Sequence, residues 1–235
     1  MRASICVLLL AAAPLIADAA HAASLQASPV SLEVHAPAAA TTLNLINTGA
    51  TPINAQIRVF RWTQQNGEER LDPAESVVAS PPAAALQPRT QYTIRIVRID
   101  RTPFSGEDTY RVIVDEIPDP NRSGVNIAIR YSIPLFFVAP DAAAAQLSWT
   151  AAREGNRLAL TATNQGDRHV RLSALKGRDR GASVSFGDGL AGYVLGRSIM
   201  RFPSKTPVKG FASGSVTVQG DSEAGRINAV VPIAR

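Results

Sequence analysis

The sequence is almost free of cysteine: Cys6 is the single one, and it lies in a leader segment that we expect to be removed. A mature chain without cysteine has no disulfides, so its stability has to come from core packing. Runs of like charge are also missing, because the basic residues behind the net charge of +5 are scattered singly. Nucleic-acid binding requires a basic stripe with interleaved aromatic residues, so the sequence predicts no nucleic-acid partner.

Residues 1–22 have the pattern of a signal peptide that is cleaved on export. Arg2 supplies the positive start, residues 5–13 form a short apolar stretch, and residues 20–22 form a small-residue cleavage site. The apolar stretch is interrupted by Pro14 and is too short to be a stable membrane span. We therefore predict an exported mature protein without a membrane span.

Strand-like segments follow one another at short intervals, separated by Gly, Pro, Asn and Asp. No segment shows a convincing apolar period of 3.6 residues for more than two turns, whereas regular short strands with turn signals are typical of β-sandwiches. The 213 residues that remain of 235 after residue 22 suit two domains of about 100 residues each. The Ala/Pro-rich segment 139–145 is the natural hinge between them. The predicted strands are 25–34, 41–47, 53–62, 91–99, 110–117 and 125–138 in the first half, and 146–150, 157–164, 169–175, 182–186, 192–195, 198–202, 211–218 and 226–233 in the second.

The segment 125–138 contains the longest alternation of apolar and other residues in the chain. Seven apolar side chains occupy every second position of residues 125–137. This two-residue period predicts a half-buried strand that is longer than the usual length of about 5–6 residues. Pro134 cannot donate a ladder hydrogen bond, so we place this part of the strand at a sheet edge. Because a long apolar edge strand is an aggregation hazard, we infer that a partner pairs with it.

The sequence shows no convincing catalytic, cofactor or metal site. Residues 187–192 spell G-x-G-x-x-G, but another short strand follows them where a dinucleotide site requires a helix. His35 and His169 lie 134 positions apart without an acidic cluster near either, so they do not predict a metal site. Asp115 and Glu116 are adjacent on a strand, so they point to opposite faces and cannot flank one substrate bond. We expect neither catalysis nor a bound cofactor or metal.

Several pieces of the sequence, in their order and spacing, resemble the periplasmic pilus chaperones of the chaperone–usher pathway. In the first half these are Asn47 at a strand end, SPP at 80–82, LQP at 86–88, YTIRI at 92–96, YRV at 110–112, EIP at 116–118, and the strand that ends in LFF at 135–137. In the second half, the TATN strand end at 161–164 and VLGRSIMRF at 194–202 look like the family's smaller domain. The resemblance covers essentially the whole mature chain.

The resemblance implies an all-β protein of two immunoglobulin-like β-sandwich domains, arranged at an angle around a cleft. It also implies a function, because such a chaperone inserts the last strand of its first domain into the groove of an incomplete pilus subunit. The implied partners are pilus subunits and an outer-membrane usher, and the implied location is the periplasm. By position in the motif, the donor strand would bind the subunit through Val125, Ile127, Ile129, Tyr131 and Ile133.

The sequence departs from the common family pattern at the anion site. Many members hold the subunit's C-terminal carboxylate with an Arg near the start of the first strand and a Lys late in the last one. Pro29 and Pro134 stand at these positions here, and neither side chain binds an anion. We take Arg95 and Arg130 as candidate carboxylate anchors, because we expect both strands to border the cleft and a guanidinium grips a carboxylate bidentately. The SIP segment at 132–134 and the lack of a cysteine pair resemble the archaic branch of the pathway.

We predict a signal peptide at 1–22, an N-terminal domain with the donor strand at 23–139 and a C-terminal domain at 140–235. The alternative is an immunoglobulin-like structural or adhesive subunit of a surface assembly. Such a subunit would carry a free, strand-like N-terminal extension for polymerisation, whereas the first predicted strand starts almost at the cleavage site. A periplasmic hydrolase is a further alternative, but it would need a triad or a metal constellation.

Overall fold

The structure is a computed structural model, and it describes residues 24–118, 127–208, 211 and 214–234. These residues form an all-β protein of seventeen strands, which confirms the predicted class of two immunoglobulin-like β-sandwich domains. The strands of the N-terminal domain are β1 Leu25–Ser28, β2 Leu32–His35, β3 Ala40–Asn47, β4 Ile53–Gln65, β5 Glu68–Pro73, β6 Val77–Ser80, β7 Ala83–Leu86, β8 Gln91–Arg98, β9 Glu107–Ile117 and β10 Arg130–Val138. The strands of the C-terminal domain are β11 Leu147–Glu154, β12 Arg157–Asn164, β13 Val170–Asp179, β14 Ala182–Val194, β15 Ile199–Pro203, β16 Ser215–Ser222 and β17 Gly225–Ala234.

The N-terminal domain is a sandwich of two sheets. One sheet has the strand order β1-β3-β8-β6, and the other has the order β2-β10-β9-β4-β5, with β7 also paired to β4. Alternate residues of several strands point into the space between the sheets, as Ile94 and Ile96 do from β8 and as Val112 and Val114 do from β9. The core of this domain therefore follows from the two-residue period of its sequence.

The C-terminal domain has the strand order β14-β13-β16-β17-β11-β12-β15. Its core is built in the same way, from alternate side chains such as Leu160, Leu172 and Val218, which are fully buried. The glycine-rich segment 187–192 lies within β14, whose pairing with β13 is irregular in register. That segment is therefore a bulged strand and not a connection between two short strands.

A buried asparagine ends a strand at an equivalent place in each domain. Asn47 ends β3, and its side chain donates to Leu86 O at 3.0 Å and accepts from the Gly49 N–H at 2.9 Å. Asn164 ends β12, and its side chain accepts from the Gly166 N–H at 3.0 Å. Each asparagine satisfies the backbone of the turn that follows it, and the strand ends predicted at Asn47 and Asn164 are confirmed.

Candidate functional site

Strand β10 has two halves with different surroundings. Its whole length pairs antiparallel with β9. From Leu135 to Val138 it also pairs in parallel with β2 on its other side. From Arg130 to Pro134 no described strand lies on that other side, so the backbone there forms an open sheet edge. The edge predicted for the part of the strand that contains Pro134 is confirmed, whereas the second half of β10 lies inside the sheet.

The odd-numbered side chains of this segment pass from exposed to buried along the chain. Ile127, just before β10, is 76% exposed, and Ile129 and Tyr131 are half-buried. Ile133 is 2% exposed and packs in the core of its own domain, so this chain already covers its surface. We therefore remove Ile133 from the predicted subunit-binding residues. Val125 lies outside the described residues.

Three hydrogen bonds hold the start of β10. The Glu116 backbone N–H donates to Ile129 O at 2.9 Å, and the Ile129 N–H donates to Glu116 Oε2 at 3.3 Å. The Tyr131 hydroxyl donates to Leu25 O at 2.7 Å and so connects β10 to β1 of the opposite sheet. The start of β10 is thus extended although no described strand covers its outer edge.

Arg130 belongs to an ion-pair cluster on the outer face of the same sheet. Arg130 Nε donates to one carboxylate oxygen of Asp115, and Arg58 Nη2 donates to the other at 2.6 Å. Burial raises the pKa of the Asp115 carboxyl, but the hydrogen bonds from Arg130 and Arg58 outweigh burial and hold this pKa below its ordinary value. Arg130 therefore already has a carboxylate partner in its own domain.

An aromatic cluster joins the two domains beside the second half of β10. Trp62, Phe136 and Val138 of the N-terminal domain pack against Tyr193 and Leu195 of the C-terminal domain. The rings of Trp62 and Tyr193 meet edge to face, with their centroids 5.3 Å apart. Because Phe136 and Val138 belong to β10, the C-terminal domain fixes the end of the strand whose start is an open edge.

Hydrogen bonds to backbone atoms, two of them formed by the Gln64 side chain, hold the C-terminal domain against β4 and the turn that follows it. Gln64 donates to Tyr193 O at 2.8 Å and accepts from the Leu195 N–H at 2.9 Å. The Arg201 N–H donates to Gly67 O at 3.1 Å. Gly67 has a φ of +80°, and a Cβ there would lie 2.9 Å from Arg201 Cβ, so both backbone conformation and space require glycine.

His169 is a further interface residue. Its Nδ1 lies 2.9 Å from Glu107 Oε1, and its ring stacks on Phe136 with a centroid distance of 3.5 Å. The side chain of Glu107 is fully buried in this contact. Sequence reasoning missed the pair because 62 positions separate the two residues, and no local pattern connects them.

Arg111 lies in the crevice between the domains and stands opposite Pro134 in the pairing of β9 with β10. Its guanidinium carbon is 3.7 Å from the ring centroid of Trp62 and 5.3 Å from that of Tyr193. The Arg111 side chain is 12% exposed, and a carboxylate oxygen of Glu69 is 3.7 Å from its Nη2. Burial lowers the pKa of Arg111, and Glu69 only partly opposes this effect. Arg111 is therefore a desolvated and loosely paired cation.

The structure does not bring the two predicted carboxylate anchors together. Arg95 lies in β8, and its side chain is exposed on the outer face of the sheet β1-β3-β8-β6. The interface with the C-terminal domain is formed by Trp62 and Phe136, which belong to the other sheet. The expectation that Arg95 borders the cleft is therefore wrong, because its strand lies in the sheet on the far side of the core. Arg130 does lie in the sheet that forms the interface.

Within the described parts of the chain, no group of three or more histidine, cysteine and carboxylate side chains could hold a metal ion. The same residues include no helix that is long and apolar enough to cross a membrane.

Comparison with known proteins gives the family. The family model for the PapD N-terminal domain, described as a pili and flagellar-assembly chaperone, matches residues 24–143, which are 120 of the 235 residues. The chain belongs to this family of pilus-assembly chaperones. No curated protein matches the sequence of the chaperone. The assignment decides against the alternative of a structural or adhesive subunit.

Solved structures share the fold of the chaperone over almost its whole length. The CsuC–CsuE complex of a chaperone with a tip adhesion subunit, from the archaic chaperone–usher Csu pili of Acinetobacter baumannii, is 28% identical. The match covers 90% of this chain and 98% of that chain, with a TM-score of 0.70. The Salmonella enterica SafA pilin in complex with the SafB chaperone is 21% identical, with 88% and 96% covered and a TM-score of 0.62. The E. coli chaperone DraB is 22% identical, with 88% and 97% covered and a TM-score of 0.59. At these lower identities the last two structures show the fold alone.

Proposed function

We propose that this chaperone binds incomplete pilus subunits through the open edge at the start of β10. The observation that carries the proposal is an extended segment with a strand on one side only, preceded by Ile127 at 76% exposure. A subunit strand pairs with the open edge through main-chain hydrogen bonds, and Ile127 and Ile129 enter the apolar groove of the subunit. Tyr131 contributes the ring surface that its own domain leaves uncovered.

The position of β2 defines where a client strand ends. Because β2 pairs with β10 from Leu135 onward, a client strand that continues the line of β2 has to stop beside Pro134. If the client strand runs parallel to β10, as β2 does, its C-terminus lies at this point. The family resemblance gives this direction, since it implies an anchored C-terminal carboxylate.

Arg111 is the anchor that the geometry supports for this carboxylate. It stands opposite Pro134 in the ladder, and its charge is desolvated but only loosely matched by Glu69. A carboxylate at this place would complete the pairing of a buried cation. Of the two anchors predicted from the sequence, Arg95 is on the wrong sheet, and Arg130 is already paired with Asp115.

The location and the domain limits belong to the same proposal. We take residues 1–22 as a signal peptide that directs the chaperone to the periplasm, where it hands its clients to an outer-membrane usher. The division into domains at 139/140 is supported by the separate cores of the two halves. The exchange needs neither a cofactor nor a nucleotide, since a better strand from the next subunit replaces the chaperone's own.

The test is the double change Ile127→Asp and Ile129→Asp. Two buried carboxylates in an apolar groove carry a large desolvation cost, so the subunit should no longer be recovered with the chaperone from the periplasm. The chaperone itself should keep its melting temperature, because neither side chain is fully buried in its own core. Val230→Asp is the matched control, since Val230 is 73% exposed in β17 and should affect neither quantity. Unchanged subunit recovery by the double variant would disprove the proposal.

A further inference from the structure

The open half of β10 is held from both faces of its sheet. On the outer face, the Arg130 side chain is ion-paired with Asp115, the residue directly opposite it in the ladder. On the inner face, the Glu116 carboxylate accepts the N–H of Ile129. Asp115 and Glu116 are adjacent in β9, so their carboxylates point to opposite faces of the sheet. They bind two adjacent residues, Arg130 and Ile129, at the start of β10.

The Glu116 side chain replaces one of the two backbone hydrogen bonds that an antiparallel pair of residues normally forms. The Glu116 N–H donates to Ile129 O at 2.9 Å, as in an ordinary antiparallel pair. The Ile129 N–H turns to the Glu116 side chain at 3.3 Å. The Glu116 side chain therefore holds Ile129, the residue that directly precedes β10. Ile129 lies two positions after the exposed Ile127.

The Tyr131 hydroxyl provides the third contact. Strand β1 is at the edge of its sheet, and Arg130 to Pro134 of β10 form the open edge of the other sheet. The bond from the Tyr131 hydroxyl to Leu25 O bridges these two edges at 2.7 Å. The ring of Tyr131 is therefore held in the row of inward side chains, between Ile129 and Ile133.

We propose that Asp115, Glu116 and Tyr131 are positioning residues that keep the start of β10 extended for the client, and that Arg130 acts through Asp115 and does not contact the client carboxylate. The proposal rests on the proposed function. A client strand then meets an edge that is already ordered, so less conformational entropy is lost on binding. The Asp115 pair is partly exposed, so its loss should weaken binding by about two- to fivefold. Loss of the Tyr131 hydrogen bond should weaken binding by about two- to tenfold.

The first experiment measures the order of the free chaperone. Hydrogen exchange at the Ile129 and Glu116 amides should accelerate in Asp115→Asn, Glu116→Gln and Tyr131→Phe, while the melting temperature stays within a few degrees. Asp72→Asn and Tyr92→Phe are matched controls. Asp72 pairs with Arg70 in β5 at the opposite edge of the same sheet, and the Tyr92 hydroxyl has no hydrogen-bond partner among the described residues. Unchanged exchange in all three variants would overturn the proposal.

The second experiment separates the two roles of Arg130 by a double-mutant cycle. Wild type and each variant, carrying different tags, compete for one pilus subunit that is co-produced with them in the periplasm. If Arg130 acts through Asp115, Arg130→Gln should weaken binding two- to fivefold in the wild type and have no further effect in Asp115→Asn. An equal loss in both backgrounds, abolished by extending the subunit's C-terminus, would show that Arg130 holds the client carboxylate and would overturn this part.

The two proposals fail in different ways. If the wild-type chaperone captures no subunit, the proposed function is wrong, and the positioning role is wrong with it. If the wild type captures the subunit and Ile127→Asp/Ile129→Asp does not, while the positioning variants bind and exchange like the wild type, only the positioning role is wrong.

Discussion

The two halves of β10 share one alternating sequence pattern, but the second half has a strand on each side and the first half has a strand on one side only. In the second half, the odd-numbered Phe137 fills the core of its own domain, and the even-numbered Phe136 fills the interface with the C-terminal domain. Tyr131 in the first half and Ile129 just before it are only half-buried, and Ile127 is exposed; only Ile133 of this alternation is already buried there. An alternation of apolar residues thus defines a strand face, but the neighbouring strands decide whether that face is core or a binding surface.

The second half of β10 anchors the first half. It has a strand on each side, a core on one face and another domain on the other face. Because this end is packed on all sides, it sets the direction of the open start of the same strand. If the proposed function is right, the interface between the domains therefore supports the binding edge.

The largest difference between the halves should appear in stability. Phe136→Ala removes a fully buried ring from the interface, and we expect it to lower the free energy of unfolding by about 3–5 kcal/mol. Ile127→Ala changes a side chain that is mainly exposed and should stay within about 0.5 kcal/mol of the wild type. Urea unfolding of both variants measures the contrast. Similar losses in the two variants would show that both halves serve the chaperone's own fold.

The next effect concerns the point where the halves meet. Arg111→Ala should weaken subunit binding by about 2–5 kcal/mol, because it leaves the client carboxylate desolvated and unpaired beside Pro134. Arg95→Ala is the matched control, since Arg95 is exposed on the other sheet. Competition for one subunit gives both values. If extending the subunit's C-terminus weakens binding to the wild type but Arg111→Ala does not, another group holds the carboxylate.

A smaller effect should come from the domain interface. Gln64→Ala leaves Tyr193 O and the Leu195 N–H without their partner, which costs about 1–3 kcal/mol of stability. Gln65→Ala, at the exposed next position of β4, is the control. If the interface supports the donor strand, subunit binding should weaken together with stability in Gln64→Ala and not in Gln65→Ala. Full binding by a destabilised Gln64→Ala would separate the interface from function.

The sequence predicted the fold class and the strand that contains Pro134 because both depend on local patterns. Alternation in β8, β9 and β10 and the asparagines that end β3 and β12 are visible in short windows of sequence. The extent of the open edge was not visible, because it depends on β2, a strand that comes about 100 positions earlier and covers only four residues of β10. Ile133 belongs to the open half, but its side chain packs in the core between the two sheets, which short windows of sequence do not show.

The charged groups were the hardest to predict. Arg95, Arg111 and Arg130 all lie singly in strands, and nothing local tells which of them faces the crevice. Arg111 becomes distinct only when β9 brings it opposite Pro134 and the C-terminal domain brings Tyr193 near it. The only hint in the sequence was that Arg111 belongs to the YRV segment at 110–112, which resembles the family.

Hydrogen exchange along β10 tests directly whether a subunit strand pairs with the open edge. The bond from the Glu116 N–H to Ile129 O, with the register that follows, directs the N–H groups of Tyr131 and Ile133 to β9 and those of Arg130 and Ser132 to the open edge. The amides of Arg130 and Ser132 should exchange rapidly in the free chaperone and become protected in the complex with a subunit, while those of Tyr131 and Ile133 are protected in both. Rapid exchange of Arg130 and Ser132 in the complex as well would contradict the account, because no strand would then be paired with this edge.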